Sequence, residues 1–283
     1  MRPVVPADKA DIKDIARHTW DGYDYLPYVI DSWLRNRDCY TVGIDVGGHI
    51  VAMANLHTID SGRTGWMEAL RVHPKHRGTG LAHVLTEELV REATARGLSR
   101  IRYTTDYSNA ASIKLAQSVG MKKKMEMGVF WKPKPQQVKI GFKPRRLKRL
   151  YNDSFEDAIK AGRDLFPEGI IIHDWKANDF DLEGLSHMAK WARTYVRHTD
   201  DAFTLSLGSV RQEKVAGWAV SIYSSDSELF LEDLYAHTQL AAKNGNRFVM
   251  GIYQPKYEQV LNEEKWMNQE DKGFRMYLFE RLL

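Results

Sequence analysis

The chain has 283 residues, of which 43% are hydrophobic and 28% are charged; this composition is typical of globular proteins, and the length favours two domains over one. The net charge of +4 is too small to indicate a nucleic-acid-binding protein, and no apolar run reaches the roughly 18 residues of a membrane-spanning helix. Because Cys39 is the single cysteine and no signal peptide precedes the first strand pattern, we expect a cytoplasmic protein without an internal disulfide.

The first half of the chain alternates strand and helix patterns. Apolar residues recur at helical spacing in segments that we predict to be helices: 7–19, 27–35, 81–96 and 109–118. The runs between them predict strands at 4–5, 39–46, 49–59, 66–72, 100–104 and 122–131. Gly47 and Gly48 are typical of a hairpin turn between two of these strands. This order of elements indicates an α/β fold.

The segment after the last of these strands is basic. Eight basic residues and no acidic residue lie between positions 132 and 150, together with three prolines that stiffen the stretch. A contact with phosphate groups is one interpretation. No series of aromatic residues accompanies the charges to stack on bases, so we favour a solvated linker. The predicted organisation is a domain, a linker and a second domain, at 1–135, 136–150 and 151–283.

The second half of the chain has similar patterns but no glycine-rich turn between a strand and a helix. Strands are predicted at 169–172, 215–223, 247–253 and 274–283. The segment 229–244 is predicted to run from a strand into a helix. These elements indicate a second α/β domain.

A turn at 77–82 in the first half reads Arg-Gly-Thr-Gly-Leu-Ala and joins a strand to a helix. Glycine N–H groups can face a ligand without obstruction from a Cβ, and a helix N-terminus adds partial positive charge, so the turn suits a pyrophosphate. It lacks the Gly-Lys-Ser/Thr of a Walker loop, and its position does not fit a dinucleotide-binding fold. The alternative is a tight turn that binds no ligand.

The residues around this turn resemble the GNAT superfamily of acetyl-CoA-dependent N-acetyltransferases. The family's central strand and pyrophosphate loop are similar to Glu68-x-Leu70-x-Val72-x-Pro74-x-x-Arg77-Gly78-x-Gly80-x-Ala82. Its second cofactor element is similar to Asn109-x-x-Ser112-x-x-Leu115-x-x-x-x-Gly120-Met121. The resemblance implies a GNAT fold, a mixed central sheet flanked by helices, with acetyl-CoA as co-substrate. The cofactor-binding residues that it implies are Leu70, Val72, Arg77, Gly78, Thr79, Gly80, Leu81, Ala82 and Asn109.

Further segments resemble the histidine N-acetyltransferase family within this superfamily. They lie at 22–27, 32–35, 59–62, 68–72 and 169–175. Because the last of them lies in the second half, the resemblance covers nearly the whole chain, with gaps. It implies that the second domain is a degenerate GNAT-like domain without a cofactor site. It is more specific for architecture than for substrate, since a few pocket residues change the acceptor in this superfamily.

Glu68 is the candidate general base. It is an acid within an otherwise mostly apolar strand, where burial would bring its pKa closer to working pH. The alternative is a structural carboxylate paired with Arg71 or Arg102. The resemblance places a backbone N–H between Leu70 and Val72 beside the carbonyl oxygen of the acetyl group.

The general acid is less well defined. Members of the family often have a tyrosine after the leucine of the second cofactor element, but here Ala116 follows Leu115. A thiolate leaves tolerably without help, because the thiol has an ordinary pKa of about 8.5. If an acid is needed, the candidates are Tyr103 and Tyr107, with Tyr25 as another possibility. For Asn109, an N-cap role is an alternative that is compatible with cofactor binding.

The acceptor site is expected in the loop between the first two helices. Asp24 could pair with a substrate cation, and Tyr23 and Tyr25 could flank an imidazole or indole. The alternative is an Asx-type turn before Pro27 with two packing tyrosines. Histidines cluster in the sequence near the glycine turn, but none has metal-ligand spacing supported by carboxylates, so we expect no metal.

Together these features predict a cytoplasmic enzyme that transfers an acetyl group from acetyl-CoA to the amine of a small molecule. An amino acid such as histidine is the first acceptor to consider. One alternative is an enzyme of the same chemistry that acts on protein or peptide amines. Another is a protein that binds acetyl-CoA without turnover, because Ala116 stands where the family often has its acid.

Overall fold

The structure, a computed structural model, describes residues 1–19, 22, 24–139, 141 and 143–283. These residues form two compact units. The first comprises residues 1–103, 109–123 and 279–283. The second comprises residues 104–108 and 124–278. Within these described residues, no helix is both long and apolar enough to cross a membrane.

The first unit is a β-sheet covered by helices. Its strands are β1 (Arg2–Pro3), β2 (Cys39–Val46), β3 (His49–Ile59), β4 (Thr64–Val72) and β5 (Arg100–Asp106), and its helices are α1 (Lys9–Arg17), α2 (Leu26–Arg35), α3 (Leu81–Ala95) and α4 (Ala110–Ser118). Neighbours along the chain pair, antiparallel from β1 to β4 and parallel between β4 and β5. A parallel pair needs a crossover connection, and α3 supplies it.

Successive residues of β2 show that the helices cover both faces of this sheet. Cys39 packs against the apolar core that α1 and α2 form on β3 and β4. The next residue, Tyr40, donates a hydrogen bond of 2.7 Å to Glu88 on α3. Because successive side chains of a strand point to opposite faces, α1 and α2 lie on one face and α3 lies on the other.

The second unit contains a larger sheet and a separate hairpin. Its strands are β6 (Lys122–Pro133), β7 (Lys148–Arg149), β8 (Ile170–His173), β9 (Lys176–Asp179), β10 (Arg193–His198), β11 (Phe203–Gln212), β12 (Ala216–Ser224), β13 (Phe248–Tyr253) and the first part of β14 (Phe274–Leu282), whose residues from 279 on belong to the first unit. Its helices are α5 (Phe155–Gly162), α6 (Leu182–Met188), α7 (Ser227–Lys243) and α8 (Glu258–Glu263). Strands β8 and β9 form the hairpin.

The second unit repeats the strand pairing of the first. Strands β7, β10, β11 and β12 pair antiparallel in that order, and β12 pairs parallel with β13. Helix α7 is the crossover of this parallel pair, as α3 is in the first unit. The predicted fold class, α/β with a mixed sheet in each half, is confirmed.

Helix α7 corrects one expectation. The prediction that 229–244 begins as a strand is wrong, because the helix starts at Ser227. Asp226 caps it: its side chain accepts a hydrogen bond of 2.9 Å from the Leu229 N–H. An acidic cap followed by Ser227 and Glu228 is a helix-start signal, which the apolar run after it obscured.

The last residues of the chain belong to the first unit. Arg102 donates from Nε to Glu280 at 2.7 Å. Tyr103 stacks on Phe279, with the ring centroids 5.7 Å apart. The sequence predicted a closing strand here, but its hydrophobic pattern does not indicate which sheet it joins.

The segment predicted as a linker contributes to the second unit. Strand β7 pairs with β10, and Arg145 forms a 2.6 Å ion pair with Glu232 on α7. Strand β6 also pairs with β13. The two compact units therefore have different limits from the predicted domains. The predicted limits, 1–135, 136–150 and 151–283, stay a prediction.

The core of the second unit holds a neutral imidazole. His237 is completely buried; its Nδ1 accepts from Nε1 of Trp218 at 3.1 Å, and its Nε2 lies 3.1 Å from Oγ of Ser206. Burial, together with nearby His173 and Arg197, lowers its pKa to about 3. The folded state therefore excludes the proton that the unfolded chain binds below a pKa of 6.5.

The free energy of unfolding is expected to fall as the pH drops below 6.5, the ordinary pKa of this histidine. His237 should account for about 1.4 kcal/mol of that loss at pH 5.5. The His237→Gln variant cannot titrate there and should lose this part of the pH dependence. Urea unfolding at pH 7.5 and pH 5.5, followed by tryptophan fluorescence, measures both proteins. An equal stability change in the two would contradict the prediction.

Candidate active site

The glycine turn at 77–82 lies between β4 and α3, as predicted. Gly78 and Gly80 have left-handed φ angles of +77° and +83°, and Gly80 is the N-cap residue of α3. A Cβ placed on either glycine meets no described atom within 4 Å. Leu81 and Ala82 form the first turn of the helix. The turn therefore presents backbone N–H groups and the positive end of a 15-residue helix to open space.

The polar side chains of the turn hydrogen-bond to backbone carbonyls. Arg77 donates from Nε to the Val72 carbonyl at 3.2 Å and from Nη2 to the His18 carbonyl at 3.5 Å. Thr79 donates from Oγ1 to the His76 carbonyl at 2.6 Å. Arg77 is exposed, so its positive charge lies beside the turn and remains accessible to an anion.

Replacing Gly80 by valine is expected to weaken acetyl-CoA binding by about 2 kcal/mol, roughly 30-fold. No described atom would clash with the added Cβ, so the cost comes from forcing a β-branched residue into the left-handed region. Gly48→Val is the matched control, because Gly48 has a φ of +87° and equally open surroundings in the β2–β3 hairpin. Calorimetry measures both. Unchanged affinity in a folded Gly80→Val protein would exclude the turn as the anion site.

Strand β4 contains a β-bulge next to Glu68. Asn55 on β3 is opposite Glu68, but the register shifts there, so that Ala69 and Leu70 together face Ala54. Ala69 has a φ of +55°, which is uncommon for a residue other than glycine. A bulge turns the following backbone away from its partner strand, and this local distortion sets the direction of the Leu70 N–H.

Strands β4 and β5 separate before the bulge. In the register that the described residues show, their parallel pairing ends with Trp66 opposite Arg102. Strand β4 nevertheless continues to Val72. This edge of β4, with Leu70 and Val72 on it, is therefore not paired with β5. An extended ligand can hydrogen-bond to such an edge in the manner of an added strand.

Glu68 is largely buried beside this edge. Its side chain is 12% exposed, and its Oε1 accepts a hydrogen bond of 3.2 Å from Nδ2 of Asn55. Nδ1 of His57 lies 3.7 Å from the same oxygen. Asn55 and His57 were not predicted as site residues. The sequence signal that could have identified them is the two-residue period of a strand, which puts both residues on one face of β3.

The two arginines considered as structural partners of Glu68 have other carboxylates beside them. Arg71 forms a 2.8 Å ion pair with Asp24. Arg102 forms a 2.7 Å ion pair with Glu280. These pairs give each arginine a carboxylate partner other than Glu68, and the role of Glu68 as a base stays a prediction.

The candidate acids differ in their surroundings. Tyr103 donates its hydroxyl proton to the Ser112 carbonyl at 2.7 Å, and burial raises its pKa to about 12. Tyr107 is 44% exposed and belongs to the second unit. Asn109 caps α4, since its Oδ1 accepts from the Ser112 N–H at 3.1 Å. This cap does not use the amide NH₂ of Asn109, so the cofactor role stays a prediction.

The structure describes two of the three residues that were predicted to bind the acceptor, Asp24 and Tyr25. Asp24 is 2% exposed; its Oδ1 accepts from the Leu26 N–H at 3.1 Å, and its Oδ2 accepts from Nε of Arg71. The ring of Tyr25 lies 5.8 Å from the guanidinium carbon of Arg71. These contacts favour the Asx-turn alternative for Asp24. Tyr23 lies outside the described residues.

The structure also brings together a group that the sequence did not indicate. Ligand atoms of Asp14, His18 and His73 all lie within 4.8 Å of one another. However, Nδ1 of His73 accepts a hydrogen bond from the Lys75 N–H at 3.3 Å. Its proton is then on Nε2, which lies 3.3 Å from Asp14. This contact is at ion-pair distance, and the absence of a metal stays a prediction.

Comparisons with known proteins agree with this geometry. Residues 10–121 match the model of the acetyltransferase (GNAT) family. The histidine N-acetyltransferase of Xenopus tropicalis is 34% identical over 84 residues, which cover 29% of this chain and 26% of that protein. The enzyme of the same name from Oreochromis niloticus is 35% identical over 78 residues, 28% of this chain and 23% of that protein. The chain thus spans about a quarter of the length of these curated relatives.

A solved structure shows the fold over both halves. The GCN5-related N-acetyltransferase from Sphaerobacter thermophilus superposes with a TM-score of 0.62 at 12% identity, covering 99% of this chain and 94% of that one. At this identity the likeness concerns the fold alone. The family match separately covers the glycine turn, the bulged strand and α4. Over residues 10–121 the chain is therefore similar to GNAT acetyltransferases in the elements that form the candidate site.

Proposed function

We propose that this protein binds acetyl-CoA at the 77–82 turn and transfers its acetyl group to the amine of a small molecule. The observation that carries the proposal is the open glycine turn at the start of α3, next to a strand edge that bears the largely buried Glu68. Members of the GNAT family use acetyl-CoA as co-substrate. The Cβ-free space over Gly78 and Gly80 fits a pyrophosphate.

Each part of the site has a role in this proposal. The turn N–H groups and Arg77 hold the phosphates, and the unpaired edge of β4 at Leu70 and Val72 holds the extended arm. Acetyl-CoA supplies an activated thioester. Glu68 accepts the proton that the acceptor amine loses, directly or through a water molecule, as the new C–N bond forms. The Leu70 N–H, set by the bulge, stabilises the negative charge on the carbonyl oxygen.

The departing thiolate receives little help from Tyr103 in this scheme. A phenol with a pKa of about 12 that already donates to the Ser112 carbonyl is a weak acid for this purpose. We therefore favour departure of the thiolate without an acid, which its ordinary thiol pKa of about 8.5 permits. Tyr107 and Tyr25 stay as alternatives.

The acceptor that we propose is a free amino acid, with histidine first. Two relatives named histidine N-acetyltransferase support it, through an aligned part of about 80 residues. Because the chain covers only about a quarter of those proteins, peptide amines remain the second candidate. Binding of acetyl-CoA without turnover is the third. A cytoplasmic location stays a prediction.

A thiol-release assay tests the proposal. Acetyl-CoA is supplied with histidine, a neutral amino acid or a lysine-containing peptide, and free thiol is measured while calorimetry reports acetyl-CoA binding. Release that is highest with histidine supports the proposal. Preference for the peptide over every free amino acid would exclude the small-molecule acceptor. Acetyl-CoA binding with no release would indicate a protein that does not catalyse transfer.

A further inference from the structure

A row of polar side chains crosses three strands of the first unit at Glu68. Thr41 on β2 is directly opposite Asn55 on β3, and Asn55 is directly opposite Glu68 on β4. Residues directly opposite each other share one face of a sheet. Oγ1 of Thr41 donates to Oδ1 of Asn55 at 2.8 Å, and Nδ2 of Asn55 donates to Oε1 of Glu68 at 3.2 Å.

Because this row is buried, the loss of one of its hydrogen bonds would be costly. Asn55 is 0% exposed and Thr41 is 6% exposed. A buried amide that loses its partners incurs a desolvation penalty, so Asn55 has little freedom to turn away. Its neighbours on the same face of β3 are Met53 and His57.

The order of donors and acceptors fixes the orientation of the amide. A threonine hydroxyl that donates to Asn55 needs the amide oxygen opposite it. The amide NH₂ then points to the other strand and can donate only in that direction, toward Oε1 of Glu68. The ionised carboxylate only accepts hydrogen bonds and so selects the NH₂ end of Asn55, while Thr41 anchors the amide oxygen at the other end.

We propose that Asn55, anchored by Thr41, is a positioning residue that fixes the proton-accepting carboxylate of Glu68. This inference rests on the proposed function. Asn55 donates to one oxygen, Oε1, and so restricts rotation of the carboxylate. Because the NH₂ donates to the charged form of the carboxylate, it favours a base that is ready to accept a proton.

Loss of the Asn55 amide donor is expected to raise the pKa of the Glu68 carboxyl. In Asn55→Leu, which has nearly the same shape, Glu68 loses a hydrogen bond to its charged form. The pKa of the Glu68 carboxyl should then rise by about one unit, as expected for one hydrogen bond to a charged group. The acidic limb of kcat/KM against pH should move up by the same amount, with a smaller loss of activity at high pH. Thr41→Val removes the hydrogen bond that anchors the amide oxygen of Asn55, and it should shift the Glu68 pKa and the acidic limb in the same direction by less.

Two readouts test this inference separately from the proposed function. The first is the Glu68 titration midpoint, measured by NMR with glutamate labelled with ¹³C at the side-chain carboxyl. The resonance that is missing in Glu68→Gln identifies Glu68. The second is the pH profile of thiol release. Nδ1 of His57 lies 3.7 Å from the same oxygen, so the NMR titration is repeated in a His57→Gln background.

The matched control is Thr238→Val. Thr238 is also buried and donates to a backbone carbonyl, that of Leu234, but it lies in the second unit. It should leave the Glu68 midpoint and the pH profile unchanged. If Asn55→Leu does not fold, Thr41→Val decides the same question.

The outcomes are distinct. An upward shift of the Glu68 midpoint in Asn55→Leu and Thr41→Val supports positioning. A midpoint and profile equal to those of the unchanged protein in both variants would overturn it, even if the enzyme is active. If the unchanged protein releases no thiol with any acceptor, the proposed function fails, and the NMR titration still shows whether Asn55 acts on Glu68.

Discussion

Replacing Glu68 by glutamine is expected to lower kcat/KM by about 10²-fold while acetyl-CoA binding is kept. The amide has nearly the shape of the carboxylate but cannot accept a proton from the amine. The loss should be largest at low pH, where the acceptor amine is mostly protonated, and smaller at high pH, where the solvent has already removed the proton. Thiol release with histidine, measured across the pH range, tests both the size and the direction of the effect.

Glu156→Gln is the control for this substitution. Glu156 lies exposed in the first turn of α5 in the second unit, so its change should leave the pH profile unaltered. Calorimetry with acetyl-CoA shows that the Glu68→Gln site is intact. A rate below neutral pH that equals that of the unchanged protein would return Glu68 to a structural role.

The second large effect is on stability. Asp24→Asn is expected to lower the free energy of unfolding by about 3 kcal/mol, because it removes one partner of a buried ion pair. The side chains of Asp24 and Arg71 are 1% and 14% exposed, and Nε of Arg71 lies 2.8 Å from Oδ2 of Asp24. An asparagine can still accept from the Leu26 N–H, but it removes the carboxylate charge that pairs with Arg71. Urea unfolding measures the change.

An exposed ion pair provides the matched control. Lys9 and Asp31 lie 2.5 Å apart with side chains 40% and 48% exposed, so Asp31→Asn should cost less than about 1 kcal/mol. The Asp24→Asn variant should also treat all acceptors equally. An increased KM for cationic acceptors only, at unchanged stability, would instead make Asp24 a substrate-binding residue and contradict the prediction.

The sequence alone identified the features that depend on neighbouring residues. The glycine turn, α3 and α4 were predicted within two residues, because glycines, apolar spacing and an Asn cap are local signals. The β2 and β3 strands were predicted with the bounds that the structure shows, since Gly47 and Gly48 fix the hairpin between them. Glu68 was singled out because an acid within an apolar strand is conspicuous in any register.

The tertiary structure decided what depends on distant residues. Asp24 and Arg71 are 47 positions apart, and Arg102 and Glu280 are 178 apart. A charge pattern cannot choose among many possible partners at such separations. The same holds for the C-terminal strand, whose residues from 279 on join the first unit although the chain order suggested the second.

The Thr41–Asn55–Glu68 row combines features that the sequence predicts with features that only the tertiary structure decides. Each residue lies in a strand that the sequence predicted, but their alignment depends on the hairpin register and on the bulge at Ala69. A shift of one residue in either pairing would move Asn55 to the other face of the sheet, away from Glu68. The sequence determined the candidate base and the turn beside it, and the packing of three strands decided which side chains hold that base, because register is a property of the assembled sheet.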